Sequence, residues 1–152
     1  MPVQINRDDA WNTVFNSPPV QDQFDGPAPP PPIPEGATLA FHQHGSTLIK
    51  LHGNGRQEQP ASSGLFICKG PPTAVWNYTF DEFNYVLDGE CTFTELGPNG
   101  ERTVHNLTKG DVIFVSKGTK CEWGSPSQGG GFWVSTLGGS SDFNDSFVGP
   151  GN

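Results

Sequence analysis

A chain of 152 residues with a net charge of −8 is long enough to form one domain with a substantial core. The net charge argues against nucleic acid or an anionic membrane surface as a partner, because both are themselves negatively charged. The 20 glycines and 15 prolines predict many turns and argue against long helices.

Residues 1–36 differ in composition from the rest of the chain. The stretch at 24–36, FDGPAPPPPIPEG, is rich in proline, which fixes φ and removes a backbone donor. We therefore predict an N-terminal arm with an extended Pro-rich connector that packs along the domain or a second subunit, with a PxxP recognition role as the alternative. The start, MPVQINRDDAW, lacks the basic and apolar segments of a secretion signal, which predicts a cytoplasmic protein.

Strand-like runs begin at residue 37. They are short, rich in β-branched and aromatic residues and separated by glycine-containing turns, and several alternate with period two. The pattern predicts an all-β domain over 37–138, either a barrel or a two-sheet jelly roll, followed by a flexible tail over 139–152. Asp88-Gly89 and Asn99-Gly100 are predicted to be tight turns of hairpins. The predicted strands cover residues 37–44, 46–52, 64–70, 73–80, 83–87, 90–96, 102–107, 111–116, 120–124 and 131–137.

Two spacings in this region resemble the conserved motifs of the cupin superfamily, a group of small jelly-roll barrels. Glu82 is followed by six residues and then Gly89, as in the first motif. Gly110 is followed by five residues, the triplet at 116–118, two residues and Cys121, as in the second motif, with a serine in place of the proline.

The resemblance covers about residues 60–138 and is to small cupins of the ethanolamine-utilisation and ureidoglycine aminohydrolase type. It implies a cupin-type jelly-roll β-barrel that carries the Pro-rich N-terminal extension. It also implies a homodimer, because small cupins commonly pair through their sheets.

Departures from the two motifs bear on metal binding. Trp76 and Tyr78 stand at the histidine positions of the first motif, and Cys121 and Ser125 stand at the histidine and asparagine positions of the second. Of the four usual cupin metal ligands, only Glu82 remains. Iron, manganese and nickel sites of this fold rely on several imidazoles, and tryptophan has no lone pair to offer. We therefore expect no cofactor, with a divalent transition metal as the alternative.

In the cupin register, a group of polar and aromatic side chains faces the barrel interior, while Phe83, Tyr85 and Leu87 face the other way. An aromatic cavity with a few polar groups is typical of a site for a small, flat or partly aromatic molecule. The alternative is that the aromatic rings fill a narrow barrel. The predicted catalytic residues are Glu82, Tyr78 and Cys121, and the predicted substrate-binding residues are Trp76, Asn84, Trp123 and Trp133.

Glu82 is the sharpest candidate for chemistry. Burial in an apolar barrel should raise the pKa of its carboxyl, and such a carboxyl can move protons on a substrate. Alternatively, Glu82 is a structural carboxylate bonded to Tyr78 or to a backbone amide, or it is a metal ligand. Asp81 should point outward as a surface charge. Cys121 is interpreted as a small core residue, a substrate contact, a metal ligand or a nucleophile.

His42 and His44 form a His-x-His pair, a spacing that places both imidazoles on one face of a strand. The pair is either a polar strand face or part of an unusual metal site. If a metal is present, its predicted ligands are Glu82, Cys121, His42 and His44.

These residues favour an enzyme that acts on a small organic molecule by proton transfer, of the isomerase, cyclase or lyase type. One alternative is a metal-dependent oxygenase or hydrolase with unusual ligands. The other alternative is a small-molecule binding protein without catalytic activity.

Overall fold

The computed structural model describes residues 37–43, 46–56, 58–72, 74–136 and 147–150. Every element in this part of the chain is a β-strand. The strands are β1 (Thr38–Gln43), β2 (Ser46–Gly53), β3 (Ser62–Lys69), β4 (Ala74–Asn77), β5 (Glu82–Leu96), β6 (Arg102–Thr108), β7 (Val112–Val115), β8 (Lys120–Gly124), β9 (Gln128–Ser135) and β10 (Phe147–Pro150).

The long strand β5 connects the two halves of a curled antiparallel sheet. Its first residues pair with β7 and β9, and its last residues pair with β6 and β8. The strand order along the sheet is β1-β2-β3-β9-β5-β8-β4-β10, with β6 and β7 as further partners of β5. The fold is the predicted all-β, cupin-type jelly-roll barrel.

The prediction of a hairpin turn at Asp88-Gly89 is wrong, because both residues lie inside β5. The register against β9 shifts between Val86 and Asp88, so Leu87 is the extra residue of a bulge. Gly89 has a φ of 67°, which a hairpin turn would also require. The positive φ therefore serves a strand that bends from one half of the sheet to the other. The second predicted turn, at Asn99-Gly100, does connect β5 to β6.

Alternation along β5 separates the inside of the barrel from its outside. Glu82, Asn84 and Val86 are buried, whereas Phe83 and Tyr85 between them are exposed. The interior cluster joins aromatic residues from β3, β4, β5, β8 and β9. A smaller cluster around Ile49, Leu65 and Ile67 is buried separately.

The ends of the predicted domain are only partly described. The sequence predicts a flexible tail over 139–152, whereas the structure forms β10 at Phe147–Pro150, where it pairs with β4. The predicted arm and connector at 1–36 lie outside the described residues. In the part of the chain that is described, no helix has the length and apolar character needed to cross a membrane.

Candidate functional site

Glu82 and Asn84 occupy alternate positions at the start of β5, so both side chains point into the barrel. Each is 2% exposed, whereas Phe83 between them is 55% exposed. The Cα partners of Glu82 are Val115 on β7 and Ser135 on β9. The backbone of Glu82 is therefore fixed between two neighbouring strands, so its side chain projects from a strand and not from a loop.

Tyr78 reaches the same interior from the connection between β4 and β5. Its backbone N–H donates to Thr119 O at 2.9 Å, and its carbonyl accepts from the N–H of Gly118 at 2.7 Å. The carboxylate of Asp81 accepts from the backbone N–H of Lys117 at 2.8 Å. As predicted, Asp81 points away from Glu82, and it helps hold this connection against the β7–β8 turn.

A chain of hydrogen bonds converges on one oxygen of Glu82. Trp123 Nε1 donates to Tyr78 Oη at 2.9 Å, and Tyr78 Oη donates to Glu82 Oε1 at 2.8 Å. Asn84 Nδ2 donates to the same Oε1 at 3.0 Å. The second oxygen, Oε2, is buried and has no hydrogen-bond partner among the described residues. One oxygen therefore fixes the orientation of the carboxyl, and the other is left to a ligand or a proton.

Burial raises the pKa of Glu82 from 4.5 to about 7, although the hydrogen bonds from Asn84 and Tyr78 act in the opposite direction. Burial also raises the pKa of Tyr78 well above its usual value, and the neighbouring Glu82 charge adds to the effect. Tyr78 is therefore a neutral hydrogen-bond donor near neutral pH. Glu82 populates both its protonated and its ionised form under the same conditions.

Replacing Tyr78 by phenylalanine is expected to raise the pKa of Glu82 further, because one of the two donors that stabilise its carboxylate is lost. Carbon-13 NMR titration of the side-chain carboxyl of Glu82 measures this directly. Tyr85→Phe is the matched control, since this ring lies on the opposite face of β5. An unchanged titration midpoint in Tyr78→Phe would show that the bond contributes nothing to the carboxylate.

A small cavity adjoins this carboxyl. The volume that the centres of water molecules can occupy is about 30 Å³. This is room for about two or three water-sized groups. Most of its lining is aromatic or aliphatic. The lining residues are Ser46, Thr47, Leu48, Phe66, Ile67, Cys68, Trp76, Tyr78, Phe80, Glu82, Asn84 and Trp123.

Five of the seven predicted site residues line the cavity: Trp76, Tyr78, Glu82, Asn84 and Trp123. The other two are fully buried but are not among its lining residues. Cys121 lies opposite Trp76 on the neighbouring strand, and the indole N–H of Trp133 donates to Leu65 O at 3.1 Å. The catalytic and binding roles remain predictions for all seven.

Sequence reasoning did not identify the wall of the cavity that β2 and β3 provide. Ser46, Thr47 and Leu48 come from β2, and Phe66, Ile67 and Cys68 come from β3. Ser46 and Thr47 are buried polar residues that begin a strand. The available sequence signal is two polar residues at the start of a predicted strand, and it does not by itself point to a cavity.

The residues at the cupin ligand positions do not fit the usual metal. The Tyr78 hydroxyl donates a hydrogen bond to Glu82 and accepts one from Trp123. The indole nitrogen of Trp76 has no lone pair available for a metal. Burial raises the pKa of Cys121 well above its usual value, and the charge of Glu82 adds to the effect. The raised pKa disfavours the thiolate, which is the form of cysteine that binds a metal.

The alternative metal site cannot be assembled from the described residues. No group of three or more His, Cys, Asp or Glu residues that could hold a metal occurs within the described ranges. His44 lies outside those ranges, and the structure describes His42 only as part of the backbone of β1. The predicted ligand set Glu82, Cys121, His42 and His44 therefore stays a prediction.

Comparison with known families and structures agrees with the observed fold. The family model of the EutQ-like cupin domain matches residues 57–127. A search of curated protein sequences finds no match.

Several solved structures are similar to this chain. Ectoine synthase from P. lautus has a TM-score of 0.57 and 16% identity, and the match covers 74% of this chain and 80% of that one. Iron(II)-containing HppE has a TM-score of 0.53 and 13% identity, with coverages of 65% and 55%. The EutQ protein of Clostridium difficile has a TM-score of 0.49 and 20% identity, and the match covers 59% of this chain and 61% of that protein. At their identities, the likeness to ectoine synthase and HppE concerns the fold alone.

Proposed function

The chain belongs to the cupin superfamily, and on that premise we propose that it is an enzyme that transfers a proton on a small organic molecule inside its barrel. The observation that carries the proposal is the free oxygen Oε2 of Glu82, which is buried beside an aromatic cavity. The reaction class is that of an isomerase, cyclase or lyase, each of which needs a proton removed or delivered at a defined atom.

The arrangement around Glu82 suits both directions of proton transfer. With a pKa of about 7, the carboxyl accepts a proton in its ionised form and returns one in its protonated form without a large energetic penalty. Tyr78 and Asn84 hold Oε1 and stabilise the carboxylate, so Oε2 is the oxygen that exchanges the proton. The indole N–H of Trp123 positions Tyr78 through its hydrogen bond to the Tyr78 hydroxyl.

The proposal includes no transition metal, because the donor set at the cupin ligand positions does not fit one. The test is metal analysis of protein purified without a chelator, comparing the native chain with Glu82→Ala. A stoichiometric metal that is lost in Glu82→Ala would overturn this part of the proposal and favour the metal-dependent alternative.

The proton-transfer function is tested by identifying what the protein binds and what it does to it. Small molecules that co-purify are identified by mass spectrometry and then incubated with fresh protein in D2O. We expect a bound compound to be converted, or to gain deuterium at carbon, faster than in buffer alone. A ligand that is bound stoichiometrically but neither converted nor labelled would instead identify a binding protein.

We also propose that a second copy of the chain covers an exposed apolar face formed by Phe83, Tyr85, Val112, Phe114 and Val134. These residues lie on the adjacent strands β5, β7 and β9, and the rings of Phe83 and Phe114 are 4.7 Å apart. Exposed contiguous apolar surface commonly marks an interface. Because the chain carries a net charge of −8, two copies repel each other least where they meet through this uncharged face.

Phe114→Glu is expected to convert the dimer to a monomer, because it places a carboxylate within the apolar face, next to Phe83. Sedimentation equilibrium over a range of concentrations measures the effect. Val104→Glu is the matched control: Val104 is 54% exposed, close to the 52% of Phe114, but it lies on β6 outside the face. A monomeric native chain, or a Phe114→Glu variant that still dimerises, would contradict the proposed interface.

A cytoplasmic location is part of the same proposal. Cys68, Cys91 and Cys121 are all buried free thiols, which is the form that cysteines keep in a reducing compartment.

A further inference from the structure

The cavity beside Glu82 has an unbalanced set of charges. Its ionisable lining residues are Glu82, Tyr78 and Cys68, and its described lining includes no lysine, arginine or histidine. Tyr78 stays neutral because its pKa is raised by burial and by Glu82. Cys68 stays neutral because contact with the Cys91 thiol and burial raise its pKa. Among the described lining residues, the only charge near neutral pH is therefore the negative charge of ionised Glu82.

Ionised Glu82 needs a partner that the described chain does not supply. Its Oε1 accepts from Tyr78 and Asn84, both neutral donors, while Oε2 accepts from no described residue. A buried carboxylate is stable when it is paired with an opposite charge that also donates a hydrogen bond, and it is costly when it is not. In the ionised form, a cation with at least one N–H group would supply both the opposite charge and the hydrogen bond that Oε2 lacks.

The walls of the cavity suit the carbon atoms around such a cation. Phe66 and Trp123 have ring centroids 5.5 Å apart and planes inclined at 52°, and Tyr78 and Phe80 have centroids 5.1 Å apart and planes inclined at 51°. All four of these residues line the cavity. Aromatic rings attract cations through their negative faces, and the attraction grows when water is excluded.

We propose that the ligand of this cavity is a small organic ammonium ion, whose N–H donates to Glu82 Oε2 and whose carbon atoms contact the aromatic walls. The ion is small because the cavity has room for only about two or three water-sized groups. An organic anion of the same size is disfavoured, because it would bring a second negative charge next to ionised Glu82. This inference rests on the proposed function in using the same carboxyl, and it specifies the class of substrate.

The test uses ethylammonium, a short ammonium ion that is protonated at neutral pH, and acetate as an anion of similar size, at equal ionic strength. The indole N–H signals of the full chain report binding by NMR. We expect ethylammonium to shift the signals of Trp76 and Trp123 saturably, and to leave the signal of Trp133 unchanged, because Trp133 is outside the cavity lining. Acetate should give no saturable shift.

Glu82→Gln is expected to weaken ethylammonium binding by about tenfold or more, because a charge-assisted hydrogen bond is lost. Asp81→Asn removes one negative charge at the adjacent position and should bind as the native chain does. Native-like signals from Asp81→Asn would also show that a change of charge in this segment leaves the fold intact. Equal binding of acetate, no saturable shift with ethylammonium, or unchanged binding in Glu82→Gln would each overturn the inference.

These outcomes are separate from those of the proposed function. If ethylammonium binds through Glu82 but no compound is converted or labelled in D2O, the ligand class stands and the proton-transfer function fails. If neutral compounds are labelled and ethylammonium does not bind, the function stands and the ligand class is wrong.

Discussion

Glu82→Gln is expected to lower the rate of proton transfer on the bound molecule by about a hundredfold or more, the usual contribution of a positioned general acid or base. Glutamine keeps the size of the side chain, and its amide oxygen still accepts from Tyr78 and Asn84. Its amide nitrogen, however, neither takes up nor releases a proton near neutral pH. Deuterium incorporation from D2O into the co-purified compound, followed by NMR, measures the loss.

Asp81→Asn is the matched control for this experiment. It makes the same chemical change one residue earlier, on a side chain that points away from the cavity and accepts a bond from the N–H of Lys117. The amide oxygen of asparagine still accepts that bond, so the rate should stay near that of the native chain. A Glu82→Gln variant that keeps the native rate would show that Glu82 is a structural carboxylate.

Stability is expected to fall as the pH rises, and Glu82 is the reason. Its pKa is about 7 in the folded chain and 4.5 in the unfolded reference, so the folded chain binds more protons between these values. The stabilising contribution of the protonated form is therefore complete below about pH 4.5 and is lost as the pH rises through about 7. The loss amounts to about 3 kcal/mol in the free energy of unfolding.

Urea unfolding of the native chain and of Glu82→Gln, at about pH 5 and about pH 8, measures this contribution. All other ionisable groups are common to the two chains, so the difference between them isolates the titration of Glu82. We expect the native chain to lose stability relative to Glu82→Gln at the higher pH. An identical pH dependence in the two chains would mean that the Glu82 carboxyl has an ordinary pKa in the folded protein.

Local patterns predicted most of the strands correctly, but they failed at Asp88-Gly89. A positive φ at Gly89 is required by a hairpin turn and is equally useful at a bulge. The difference is made by β9, which pairs with β5 at both of these residues, so the chain continues as a strand where a hairpin would reverse it. A Cβ atom at Gly131 of β9 would lie 1.8 Å from Tyr85 O, so the close approach of these two strands depends on a glycine distant in sequence.

At the candidate site, too, local patterns predicted some features correctly and not others. Period-two alternation and the spacing from Glu82 to Gly89 predicted that Glu82 and Asn84 face inward and that Phe83 does not, which the structure confirms. The same reasoning grouped Cys121 and Trp133 with the cavity residues, because both were expected inside the barrel. Both are buried there, but burial in the barrel does not decide which residues border the cavity.

The sequence alone determined that this protein is an all-β barrel with one inward carboxyl and aromatic residues where histidines usually stand. These properties depend on alternation and on short spacings, which the chain expresses locally. The tertiary structure decided that Oε1 of Glu82 is held by Tyr78 and Asn84, that Oε2 is free, and that β2 and β3 complete the cavity. The two bonds to Oε1 join residues close in sequence, but the burial of Oε2 and the wall from β2 and β3 depend on how distant strands pack against one another, which no single segment sets.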